Sequence, residues 1–101
     1  MGWSESDLYG PEDEDWRVPV SELENRQLKL SKALDSAGLD GALLHNPIDL
    51  YYFCGGRQDG AMYVPAKSKE ISPIQFVRRS LKRAKYEAGG DDAAHEIIKF
   101  P

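Results

Sequence analysis

Apolar residues recur at helical spacing early in the chain: Leu23, Leu30, Ala33, Leu34 and Ala37 share one face. Ser21 and Glu24 stand in the S-x-x-E arrangement that opens a helix, and Glu22 and Glu24 suit its positive end. Gly38 is placed to stop it, so the spacing predicts an amphipathic helix from Ser21 to Gly38. The next run, "DGALLHN", is short, apolar and bounded by Gly and Asn-Pro, which predicts a buried strand from Leu39 to His45. Pro47 drives Asn46 out of the helical region but suits the first turn of a new helix. "PIDLYYFCG" therefore reads as a short helix closed by Gly55, with Leu50, Tyr51 and Phe53 covering the strand just left.

"GAMYVP" and "SPIQFVRR" follow as two strands joined by the polar turn "AKSKE", a hairpin pattern. Ser80 is placed to cap a helix from Leu81 to Ala88, ended by Gly89-Gly90; "DDA" reads as a loop and "HEIIKF" as one more strand. This order predicts an α/β fold, a mixed β-sheet flanked by helices. Residues 1–18 mix Gly, Pro, Ser and acids around Trp3, Tyr9 and Trp16 without periodicity, and are expected to form a mobile acidic arm before a folded domain over 19–101. "MGWSES" fits the myristoylation pattern at Gly2, but its flanks are acidic rather than basic, and an ordinary start is the preferred reading.

At 101 residues, one core and no second functional module is expected. A 41% hydrophobic, 30% charged chain with neither an 18-residue apolar run nor a cationic signal-type start reads as soluble and cytoplasmic, with no membrane partner. Cys54 is the sole cysteine, which rules out an internal disulfide and any multi-cysteine zinc or iron-sulfur site in the chain. The net charge of −4 is unevenly spread, with acids crowding Glu5 to Asp15 and bases clustering from Arg78 to Lys85. Overall acidity argues against a nucleic-acid partner.

The candidate chemistry is sparse. Asp91, Asp92, His95 and Glu96 have metal-ligand character, but H-E-x-x-H needs a second His one turn on and position 99 is Lys, so a solvated loop leading into a strand is expected. Cys54 with His45 or His95 would need hydrogen-bond reach and a third, polarising group; a small buried residue is the simpler role. The Gly55, Gly56 and Gly60 loop lacks phosphate-loop spacing. "RRSLKRAK" places Arg78, Arg79, Lys82 and Arg83 where they oppose a helix dipole, leaving two uses: an anion site, or contact with an acidic surface. Tyr86 is the only nearby aromatic, which disfavours a nucleic-acid patch, and Tyr51, Tyr52, Phe53, Tyr63 and Phe76 read as core and sheet residues.

"RQLKLSKALDSAGLDGALLHNPIDLYYFCGG", then "DGAMYVP", then "PIQFVRRSLKRAKYEAG" resembles, in order and spacing, the N-terminal domain of the creatinase/prolidase family of pita-bread metallopeptidases. The resemblance runs from about Arg26 to Lys99, with Cys54 departing from the family's usual small hydroxyl residue. It implies a fold with a ribonuclease H-like motif. It also implies a parent Xaa-Pro aminopeptidase or dipeptidase, or a creatinase-like amidinohydrolase, whose second domain holds two divalent metal ions on two aspartates, a histidine and two glutamates. On that reading the chain is truncated at its C-terminal end, carries no catalytic residue, metal ligand or cofactor of its own, and is a fragment without the chemistry. Its expected partners are the missing catalytic domain and a second copy in a homodimer. Arg57 would reach across the dimer to a substrate carboxylate, with Tyr52 and Asp59 as neighbours, and Arg78, Arg79, Lys82 and Arg83 would make interdomain or anion contacts. The rival is a stand-alone binding domain of related fold. An uncovered sheet edge after "HEIIKF" predicts a dimer or strand exchange.

Overall fold

A computed structural model describes residues 17–100. The arm expected over 1–18, including Gly2, Trp3, Tyr9 and Trp16, lies outside the described residues apart from Arg17 and Val18.

Helix α1 runs Val20–Ser36. It begins one residue before the expected start, because Pro19 occupies the N-cap and its carbonyl accepts from the amides of Glu22 and Leu23 at 3.0 and 3.1 Å. Ser21 thus falls inside the first turn and the expected capping box does not form. The other end follows expectation: Gly38 is left-handed, its amide reaches the carbonyl of Asp35, and the Leu39 amide returns to Leu34, the paired bonds of a Schellman stop. The buried stripe is narrower than the periodicity implies. Leu23, Gln27 and Leu34 are buried and Leu30 half-buried, while Ala33 and Ala37 are exposed.

Strand β1 is Gly41–Leu44 and helix α2 is Pro47–Cys54. Asn46 converts one into the other: its backbone is extended and its side chain accepts from the Ile48 amide at 2.9 Å, with Pro47 in the first turn. Gly55 closes α2 at φ 80°, and a Cβ there would meet Leu23 Cδ1 at 3.0 Å and the Glu87 carbonyl at 3.1 Å. A side chain is therefore excluded by conformation and by space.

Strands β2 (Gly60–Pro65), β3 (Ile74–Val77) and β4 (Glu96–Lys99) complete a four-stranded sheet in the order β1-β2-β3-β4. The first two pairings are antiparallel and β3–β4 is parallel, so the sheet is mixed as expected. The turn between β2 and β3 is a 3-10 segment, Lys67–Lys69, tied to α1 where Ser68 donates to the Asp35 carboxylate through its amide at 2.8 Å and its hydroxyl at 2.6 Å. Helix α3, Leu81–Glu87, carries β3 over to β4 through a second 3-10 turn, Gly90–Asp92. Ser80 sits at its N-cap in a left-handed conformation and makes no capping bond, contrary to expectation. A side-chain cap needs the extended backbone that Asn46 has and Ser80 lacks.

The register puts Leu44, Met62, Gln75 and Ile97 on one face. Helices pack there in two apolar clusters. One joins Leu34, Leu50, Cys54, Met62, Val64 and Ala66; the other joins Val77, Ala84, Ala88 and Ile97. The opposite face presents Leu43, Tyr63, Phe76 and Ile98, with Phe100 stacked on Phe76 at 5.7 Å. Leu43 is 63% exposed, so β1 is not the buried strand expected; it is an edge strand of the described sheet with one covered face.

Candidate functional site

The loop after Gly55 is held from three sides. Gly56 lies so close to α3 that an added Cβ would meet Glu87 Oε1 at 3.0 Å. Gln58 Nε2 donates to that same oxygen at 2.8 Å, and the Asp59 carbonyl accepts from the Arg78 amide at 3.1 Å. Glu87 is buried, and its other oxygen lies 3.7 Å from Arg83 Nε. A buried carboxylate needs such partners, and here they couple the loop to the basic helix.

On this pinned loop Arg57 and Asp59 are exposed. Together with Pro47, Leu50 and Gln58 they line a cleft of about 90 Å³. The Arg57 guanidinium stands 5.8 Å from the Tyr51 ring, within reach of a cation–π contact. Tyr52, expected beside Arg57, turns to α1. Its ring lies 4.2 Å under the Arg26 guanidinium, and its carbonyl accepts from Arg26 Nη1 at 2.9 Å. Consecutive helical residues point about 100° apart, so only one of the two tyrosines can share the cleft's side.

The basic residues form an adjoining surface. Arg78, Arg79 and Lys82 are exposed, with the Arg78 guanidinium 5.9 Å from the Phe100 ring. Arg83 is half-buried and stands 5.5 Å from the Tyr86 ring, which Arg17 also covers at 4.3 Å while donating to the Tyr86 carbonyl at 2.9 Å.

Two residues weighed for chemistry are absorbed by the core. Cys54 is fully buried, its Sγ 3.2 Å from Met62 Sδ, and burial pushes the thiol up to about 12. At neutral pH the thiolate fraction is then on the order of 10⁻⁵, far too small for a nucleophile. His95 is 6% exposed rather than in a solvated loop, which corrects that expectation. Its Nδ1 lies 3.0 Å from Gln27 Nε2 and its Nε2 2.9 Å from Gln75 Oε1. Gln27 Nε2 also donates to the Phe53 carbonyl at 2.8 Å. An amide nitrogen only donates, so Nδ1 accepts and Nε2 carries the proton: the ring is neutral. Burial lowers its pKa to about 4. Asp91, Asp92 and Glu96 are exposed and do not join it.

Sequence reasoning missed this buried chain of polar groups, and also a wider cleft of about 260 Å³ between α1 and the β2–β3 connection, lined by Glu24, Leu28, Lys67, Glu70 and Ile71 among others. Among the described residues no helix is long and apolar enough to cross a membrane, and no group of three or more His, Cys, Asp or Glu residues could hold a metal ion.

The family model described as the creatinase/prolidase N-terminal domain matches residues 26–100, about three-quarters of the chain. No curated protein and no solved structure matches.

Proposed function

The chain belongs to the creatinase/prolidase N-terminal domain family, and from that membership we propose that it is the non-catalytic N-terminal domain of a dinuclear-metal Xaa-Pro peptidase, an aminopeptidase or a dipeptidase. In this reading it narrows access to the active site and helps to hold a homodimer together. The observation that supports this beyond membership is the loop geometry: an exposed Arg57 stands on a segment fixed by Gln58 to Glu87 of α3 and by the Asp59 carbonyl to the Arg78 amide just after β3. A guanidinium on a rigid loop suits a substrate carboxylate, which it binds through two parallel hydrogen bonds. Asp59, beside it in the cleft, would limit which anions are accepted.

Among the described residues the donor set does not fit a metal pair: no suitable cluster occurs there, and Cys54 and His95 are engaged in the core. The two divalent ions are assigned to a separate catalytic domain. The basic surface of Arg78, Arg79, Lys82 and Arg83 is read as the face toward an acidic surface, that domain first. A single buried thiol is consistent with a reducing cytoplasm.

The test is to read the coding sequence beyond Pro101 and, where a catalytic domain follows, to replace Arg57 by Ala in the intact protein. A continuation with two aspartates, a histidine and two glutamates in order supports the peptidase reading, and Arg57→Ala should then raise KM more than it lowers kcat. A stop codon directly after Pro101 removes that reading. It leaves a stand-alone domain that uses the Arg57 cleft and the basic helix for binding.

A further inference from the structure

Gln27 is only 4% exposed, and its amide is fixed in one orientation. Nε2 uses both of its hydrogens, one on the Phe53 carbonyl at 2.8 Å and one on His95 Nδ1 at 3.0 Å. A reversed amide would set Oε1 against that carbonyl and the ring's lone pair. Among the described residues nothing donates to Oε1, and every buried side-chain oxygen or nitrogen has a partner, so Oε1 is not sealed off. The solvent it meets is the cleft of about 260 Å³ between α1 and the β2–β3 connection, which Gln27 lines. Glu24, Leu28 and Ser31 share that face of α1 at helical spacing, and Glu70 and Ile71 line the cleft from the connection. Ser31 gives its hydroxyl proton to the Pro65 carbonyl, which leaves it able only to accept. Leu28 and Ile71 are 37% and 58% exposed, apolar surface that water covers.

We propose that this cleft binds a primary alkylammonium group, carried by a free short-chain amine or by a lysine side chain. The ammonium donates to Gln27 Oε1 and stands between the carboxylates of Glu24 and Glu70, while the alkyl chain lies on Leu28 and Ile71. An ammonium has three donors and no acceptor, which complements a site whose deepest polar atom can only accept. An anion would meet Oε1 and two carboxylates with Lys67 as the one cation of the lining to set against them. The volume lies just below the roughly 300–1,000 Å³ of drug-sized ligand sites, which suits a short chain. None of the residues that line the Arg57 cleft takes part, so the proposal stands apart from the peptidase reading.

The test is an NMR titration of the ¹⁵N-labelled full chain at neutral pH with n-pentylammonium chloride, with n-pentanol and sodium hexanoate as uncharged and anionic counterparts. The Gln27 side-chain amide and the Ile71 backbone amide should shift saturably with pentylammonium, with a dissociation constant on the order of 1 mM. The counterparts should shift them far less. Glu24→Gln/Glu70→Gln changes two exposed side chains and should weaken pentylammonium binding about fivefold. The peptide acetyl-Gly-Lys-Gly-amide separates the two sources: the same shifts show that a lysine side chain is accepted, and their absence restricts the site to free amines. No saturable shift at Gln27 with pentylammonium overturns the proposal. Equal binding of pentanol, or unchanged binding by the double variant, overturns it as well, since either reduces the cleft to an apolar contact.

Discussion

His95 is surrounded by groups that suit only its neutral form. Between pH 6.5, its ordinary pKa, and about 4, its value here, the folded chain binds fewer protons at this ring than the unfolded chain does. The stabilisation is therefore complete above pH 6.5 and is lost as pH falls toward 4. The loss should reach about 2 kcal/mol by pH 5. Urea midpoints at pH 7 and pH 5 would measure it, and a His95→Gln variant should have a lower midpoint with a flatter pH dependence; an unchanged slope would sink the assignment. Cys54 offers a second reading at this scale. With a buried thiol pushed up to about 12, Ellman's reagent should label it only as fast as the domain opens, and completely in denaturant. Rapid labelling in native buffer would contradict the packing of Cys54 against Met62.

At the scale of elements, the strand-to-helix passage through Asn46-Pro47 and the stops at Gly38 and Gly55 were legible because each is a local rule: a cap, a fixed φ, a left-handed residue. Where two local rules competed, the reading slipped. Pro19 displaced the Ser21 box, and a left-handed backbone disarmed Ser80. Burial of Gln27 was beyond local reading, since its partner His95 is 68 positions away. The choice between Tyr51 and Tyr52 was likewise settled by Arg26, on another helix. Two substitutions probe the local rules. Asn46→Ala should cost about 1 kcal/mol by removing the bond to the Ile48 amide. Gly55→Ala should cost more, about 1–3 kcal/mol, because strain at φ 80° is joined by contact with Leu23 and the Glu87 carbonyl. Thermal melts of both should rank them in that order.

For the whole molecule, the sheet is covered on one face by helices, while Leu43, Phe76 and Ile98 occupy the other. The continuous apolar run in "GALL" concealed this division, since which face is covered depends on the order of strands, which no single segment carries. A parallel pair such as β3–β4 is ordinarily buried on both sides. Self-association through this face or the β4 edge is the expected behaviour of the isolated chain at high concentration. Sedimentation should show a dimer that Leu43→Glu weakens; a monomer throughout would remove the expectation.

The amide of Gln27 also sets a schedule for synthesis. Its side chain is buried against a carbonyl from α2 and a ring just before β4, so one amide donor can find its acceptor once residue 53 has been made and the other only when residue 95 has. On the ribosome, α1 can coil early, but its central polar group must stay hydrated until His95 emerges. Leu34 can pack with Leu50, Met62 and Val64 well before that, so a stalled chain that ends before residue 95 would hold α1 on the sheet with one buried polar group unsatisfied.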